Sequence, residues 1–189
     1  MNAYAYAFPS HNTVICLLNE LNMIHIESKE RHVYYKEGFA FVSLLKDCAK
    51  KKDLCEGTKV HGCILKAGLL ENNPYLASCL INMYSKDGNL DKAEEVFDSM
   101  PFRNAISWTV LIAGYTQCEN NEEALNCFHL MQNEDIPPDA MSFALILNAC
   151  GNGGSIERGK QIHDEVVKAR LLGKDAMLGT ALVYMYAKC

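Results

Sequence analysis

The stretch AISWTVLIAGYTQCENNEEALNCFHLMQNEDIPPD, residues 105–139, decides how the rest of the chain is read. It holds two short amphipathic helical patterns with a polar break, Cys118 to Asn121, between them. Asn120 and Glu123 form a capping-box pattern ahead of Ala124, Leu125 and Phe128. The stretch ends in Pro137-Pro138-Asp139, where rings that cannot continue a helix belong. The pattern predicts a helix, a turn and a second helix. A hairpin of this size cannot bury its own apolar face, so it needs neighbours of the same kind.

Those neighbours are present. The chain resembles itself at an offset of 102 residues: FVSLLKDC (41–48) aligns with FALILNAC (143–150), Gly57 and His61 with Gly159 and His163, and LINMYSK (80–86) with LVYMYAK (182–188). Units running 38–73, 74–104, 105–139 and 140–175 have 36, 31, 35 and 36 residues, and the first three together make up the offset. A partial unit follows from Ala176. Pro74, Pro101, Pro137 and Pro138 lie at or near the boundaries. In the second unit, Leu76, Leu80, Ile81 and Tyr84 precede an Asp87-Gly88-Asn89 stop, and Ala93, Val96, Phe97 and Met100 follow it. Asp53 with Glu56, and Ser155, are the matching helix caps in the first and fourth units. The fold class expected is all-α: a right-handed α-solenoid of antiparallel helix-turn-helix repeats.

Composition narrows the functions. A chain of 189 residues with 49% hydrophobic and 22% charged residues has the make-up of a folded protein, not a disordered one. No apolar run approaches the roughly 18 residues of a membrane span, so no membrane partner is expected. The net charge of −5 is opposite to the usual footprint of a nucleic-acid binder, a point any such reading has to answer. The nine cysteines show no Cys-x-x-Cys spacing, and most fall within apolar helical patterns, where a reduced thiol behaves as a small hydrophobe. No metal or cofactor is expected. His61 with Cys63 and His163 with Asp164 recur at the repeat offset and read as structural positions. GNGG (151–154) lacks a following Lys-Ser or Lys-Thr and reads as a helix stop, while Lys50-Lys51-Lys52 reads as a solvated turn. No catalytic constellation is present, and the chain is not read as an enzyme. Residues 1–37 have no arginine before Arg31 and only weakly resemble an organelle transit peptide; the alternatives are an irregular leader or a degenerate helical unit around Val14 to Ile26. The chain stops at Cys189, inside a first helix without its partner, which reads as a fragment or truncated product.

VFDSMPFRNAISWTVLIAGYTQ, ACGNGGSIERGKQIHDEVVK and ALVYMYAKC resemble plant pentatricopeptide repeat proteins, of the subclass in which long, short and standard repeats alternate. The resemblance covers about residues 38–189. It implies binding of single-stranded RNA along the first helices, one base per repeat. The implied base-reading residues are the fifth and last of each unit: Ser78 with Asn104 in the short repeat, read as adenine, and Thr109 with Asp139 in the standard repeat, read as guanine. Together they give a 5′-AG-3′ core. Thr180 is the fifth residue of the partial unit. Val42 with Asn73 and Ala144 with Asp175 lack a polar fifth residue and are assigned no base.

In the same register the second residues are Phe39, Tyr75, Ile106, Met141 and Met177. They are either base-stacking platforms or apolar contacts at helix starts. Position 13 holds Lys50, Lys86, Gln117, Asn152 and Lys188; its three lysines either meet phosphates or simply cap the negative ends of helices. The resemblance places the protein in a mitochondrion or chloroplast, addressing a transcript for C-to-U editing or processing by another domain or partner protein. The His-x-Glu and Cys-x-x-Cys zinc signature of a deaminase is not matched in this chain. No DNA partner is expected. The alternative is a protein-binding scaffold of tetratricopeptide type, which also uses a concave helical face.

Overall fold

The computed structural model describes residues 31–70, 73–173 and 176–189. The leader expectations around Val14 to Ile26, and Asp175, lie outside the described residues. Among these residues nine helices follow one another without a strand: α1 (Arg31–Lys51), α2 (Leu54–Lys66), α3 (Pro74–Lys86), α4 (Leu90–Asp98), α5 (Ala105–Gln117), α6 (Asn121–Asn133), α7 (Ala140–Asn152), α8 (Ile156–Lys168) and α9 (Ala176–Lys188). They form a solenoid of antiparallel hairpins. Helix α1 starts seven residues ahead of Gly38, where the sequence reading began its first unit. The stretch 31–37 has no proline to stop it, and a helical glycine costs only about 1 kcal/mol.

Odd-numbered helices form one layer and even-numbered helices the other. Each of α1, α3, α5 and α7 packs along the next odd-numbered helix, whereas the even-numbered helices have little direct contact with each other. A stack that is tight on one side and splayed on the other curves towards the tight side. The odd-numbered helices therefore line the concave face.

The sequences follow from that arrangement. Helix α3 is sandwiched and buries Leu76, Leu80, Ile81, Met83 and Tyr84 around most of its circumference. Helix α4, on the outer layer, buries only the stripe Ala93, Val96 and Phe97. Each concave helix up to α7 is closed by a residue in the left-handed region: Lys52 (φ 53), Gly88 (φ 76), Glu119 (φ 62) and Gly154 (φ 65). Two of these four are not glycine and carry the strain of a Cβ there.

The internal repetition is reproduced atom by atom. His61 Nδ1 lies 2.8 Å from the Tyr84 hydroxyl, and His163 Nδ1 lies 3.0 Å from the Tyr186 hydroxyl. Each pair ties an outer helix to the following inner one. At Gly57 an added Cβ would stand 2.5 Å from Met83 Sδ, and at Gly159 it would stand 2.5 Å from Met185 Sδ. These glycines let a buried methionine fill the join. Gly57→Ala gains about 1 kcal/mol of helix propensity but incurs overpacking of about 1–3 kcal/mol. A net loss of about 1 kcal/mol in urea unfolding is expected, and an unchanged midpoint would show that Met83 can vacate the site.

Capping differs from the sequence reading in two places. Asp53 does accept from the Glu56 amide at 3.1 Å. Asn120 and Ser155 occupy N-cap positions, yet neither side chain makes a capping bond. The Ser155 hydroxyl is shorter than the Asp and Asn side chains that cap from similar backbone angles at Asp53, Asn73 and Asn89. Asn120 has the reach, and nothing in the structure explains why it is unused.

Candidate nucleic-acid interface

The concave layer is free of acidic residues over most of its length: α3, α5, α7 and α9 contain no Asp or Glu. The acidic charge gathers on the outer layer, at Asp91, Glu94, Glu95 and Asp98 of α4, Glu122 and Glu123 of α6, and Glu157, Asp164 and Glu165 of α8. Net charge does not describe the inner face, because the helix-borne carboxylates beyond α1 lie on the outer layer, together with the basic residues of α2, α4 and α8. The concave face can approach a polyanion without meeting a helix-borne carboxylate beyond α1.

The residues at the second position are all exposed: Phe39 70%, Tyr75 50%, Ile106 60%, Met141 46% and Met177 36%. None of the five is a core residue, and their exposure is compatible with both readings, platforms for bases and partly covered helix-surface contacts. Their exposure leaves an apolar row along the groove. Tyr75 is fixed from α1, where Lys46 donates to its hydroxyl at 2.9 Å and lies over its ring. Between α7 and α9 is an open concavity of about 530 Å3, with Met141 and Met177 among its lining residues and Ala144, Leu145, Asn148 and Thr180 alongside them. The Ala144 side chain in its wall offers no hydrogen bond, whereas Asn148 and Thr180 carry polar groups.

Of the position-13 lysines, Lys50 and Lys188 are exposed and Lys86 is half-buried. Lys188 also lies over the Tyr184 ring, and the Tyr184 hydroxyl donates to Asn152 at 2.6 Å. Lys86 and Lys188 stand in the last turns of α3 and α9, where helix ends favour a cation whatever else they meet.

The fifth-position hydroxyls share one habit. Ser78 donates to the Pro74 carbonyl at 2.8 Å, Thr109 to Ala105 at 2.7 Å and Thr180 to Ala176 at 2.9 Å. With a proton turned back on the helix, each oxygen keeps lone pairs able to accept a further bond. Access differs: Ser78 is 5% exposed, Thr109 is half-buried and Thr180 is exposed. The Ser78 hydroxyl is therefore largely covered, which the sequence could not show.

The last-position residues have a second role that the sequence reading missed. Asn104 is the N-cap of α5, accepting from the Ser107 amide at 2.9 Å in a complete capping box. Asp139 is the N-cap of α7 and accepts from the Ser142 amide at 2.8 Å. Asn73 caps α3 in the same way through the Leu76 amide. The signal was available: Asn or Asp immediately ahead of an apolar helical run. Capping engages Oδ1 of each side chain, and Asn104 and Asp139 are exposed residues.

Among the described residues no group of three or more His, Cys, Asp or Glu could hold a metal ion. Burial pushes the Cys127 thiol up to about 12 and Cys150 up to about 11, which keeps both protonated. Cys48 and Cys79 are buried as well, in line with thiols serving as small core residues, while Cys55 and Cys189 are exposed.

Fold and groove together define a helical-repeat protein. The comparisons with known proteins specify which kind. The model of the PPR repeat family matches residues 103–152, and that of the PPR repeat matches residues 76–104. The chain belongs to the pentatricopeptide repeat family. A pentatricopeptide repeat-containing protein of Arabidopsis thaliana is 39% identical over 82% of this chain and 23% of its own length. Two others from the same plant, one labelled chloroplastic and one mitochondrial, are 36% and 35% identical over 86% and 80% of this chain. This chain spans about a quarter or less of the length of these relatives. The crystal structure of the pentatricopeptide repeat protein PPR10 from maize shares the fold, with a TM-score of 0.62 over 92% of this chain and 24% of that one, at 18% identity.

Proposed function

We propose that the chain binds single-stranded RNA along its concave layer, one base per repeat, and that it supplies part of the address by which an organelle transcript is selected. The observation that carries this reading is the inner face itself: exposed Phe39, Tyr75, Ile106, Met141 and Met177 at one register position, on helices that beyond α1 carry no carboxylate of their own. Unstacked bases need such apolar platforms, and a phosphate backbone is repelled least by helices without acidic residues. The repeats cycle as long, short and standard units over 38–175, as in the alternating subclass.

Thr109 with Asp139 reads guanine and Ser78 with Asn104 reads adenine, giving a 5′-AG-3′ core. The Thr109 site is the stronger of the two, because Ser78 is covered and leaves Asn104 to act nearly alone. The long unit holding Ala144 seats a base without reading it. Editing or processing chemistry belongs to another domain or a partner protein, and the chloroplastic and mitochondrial labels of relatives support an organelle setting.

The test is a fluorescence anisotropy titration of the chain with labelled single-stranded pentanucleotides that differ at the AG step. Tighter binding to the AG oligomer by about tenfold over CU is expected, and contacts from Lys50, Lys86 and Lys188 give a slope of about −2 for log K against log salt. Equal binding to every oligomer, or none at all, would overturn the reading.

A further inference from the structure

One side chain of the groove wall has no part in the reading so far. Ser142, the third residue of α7, is completely buried, and its hydroxyl reaches both members of the neighbouring reading pair. Its Oγ donates to Asp139 Oδ1 at 2.8 Å, the same oxygen that already accepts from the Ser142 amide. Thr109 Oγ1, on α5, lies 2.8 Å from the Ser142 Oγ. One serine from the next repeat therefore joins Thr109 to Asp139.

Counting protons shows what that junction does. A hydroxyl has a single proton, and of the two neighbours of Ser142 the carboxylate is the stronger acceptor, so the proton goes to Asp139. The Thr109 proton then has two destinations, the Ala105 carbonyl at 2.7 Å or the Ser142 oxygen, and both lie within the protein. Nothing with a hydrogen is left facing the groove. Asp139 offers its second oxygen and Thr109 a lone pair, both acceptors. The Watson–Crick edge of guanine brings two adjacent donors, N1–H and N2–H, to such a pair, whereas adenine brings one, N6–H, beside a bare N1 that would face an acceptor.

We infer that Ser142 is a positioning residue that holds Thr109 and Asp139 as an acceptor-only pair, so that guanine specificity at one repeat depends on a buried serine of the next. The inference rests on the RNA-reading role given to that pair. The chain contains its own control in Ser107, at the same place in α5 and equally buried. Its hydroxyl bonds the Asn104 main chain, accepting from the amide at 3.0 Å and donating to the carbonyl at 2.9 Å. It holds the cap, while the Asn104 side chain is engaged only through the Ser107 amide.

The experiment compares the wild-type chain with Ser142→Ala, Ser142→Thr and Ser107→Ala, titrated with pentanucleotides carrying G or A at the nucleotide assigned to Thr109 and Asp139, with a thermal melt for each protein. The wild type is expected to prefer G by about tenfold. In Ser142→Ala the preference should fall to about twofold, Ser142→Thr should restore it, and Ser107→Ala should keep it even where its melting temperature drops as far. A purely structural serine would weaken G and A binding together and leave their ratio unchanged. That result in Ser142→Ala overturns the positioning role while the reading of RNA by Thr109 and Asp139 stands. A wild-type chain with no G-over-A preference overturns the reading itself, and the positioning role with it.

Discussion

Asp139→Asn is expected to turn the preference at one nucleotide from guanine towards adenine with little change in stability. Asparagine keeps an Oδ1 acceptor for the Ser142 amide and hydroxyl, and Asn and Asp are equally good N-caps, so α7 should begin as before. The change falls on the outward atom, where a carboxylate oxygen becomes an NH2 donor. A donor there repels the guanine N1–H and suits the adenine N1. A well-placed pair of base contacts discriminates by about 1–3 kcal/mol, so the ratio of G to A affinity should move by about tenfold or more. Competition anisotropy with paired oligomers measures that ratio directly. An unchanged ratio would mean that the register is displaced and that Asp139 is only a cap.

Trp108→Ala is expected to cost about 3–5 kcal/mol, the largest loss of any single truncation in the groove wall. Trp108 is 2% exposed and stands at the join between the hairpin of α3 and α4 and that of α5 and α6. Its ring meets Phe97 edge-on, with centroids 4.6 Å apart, and its indole N–H donates to Glu134 at 3.2 Å. Arg103 lies over both rings and bridges Asp98 at 3.0 Å and Glu134 at 2.9 Å. Truncation removes the aromatic pair and its cavity-filling volume, and it leaves Arg103 and Glu134 beside a void. The two ion pairs are partly exposed and contribute little alone, so the loss belongs mainly to packing. Urea unfolding of Trp108→Ala against Trp108→Phe separates the terms: the phenylalanine variant forfeits chiefly the indole bond, about 1 kcal/mol. A loss below about 1 kcal/mol for the alanine variant would show that the hairpins are joined elsewhere.

The architecture was legible in the sequence because repetition makes each residue testify twice. Gly57 and Gly159, His61 and His163, and Met83 and Met185 were visible as pairs at one offset, and the structure gives each pair the same neighbours. The candidate site was less legible, for a physical reason. Exposure, and hydrogen bonds between repeats, depend on how one helix lies against the next. The covered state of Ser78 and the bond between Thr109 and Ser142, 33 residues apart, are properties of that packing. The capping of α5 and α7 by Asn104 and Asp139 was legible, as an Asn or Asp set immediately ahead of an apolar helical run. Asn120 shows the opposite failure, a good local pattern that the folded chain does not use.

Every substantial contact between helices joins elements one or two places apart in the chain. The contact order of such a molecule is set within a pair of neighbouring hairpins and does not grow as hairpins are added. A longer array therefore extends the inner layer without adding a loop that must close over a greater distance, and its folding can begin wherever one pair of neighbours first docks.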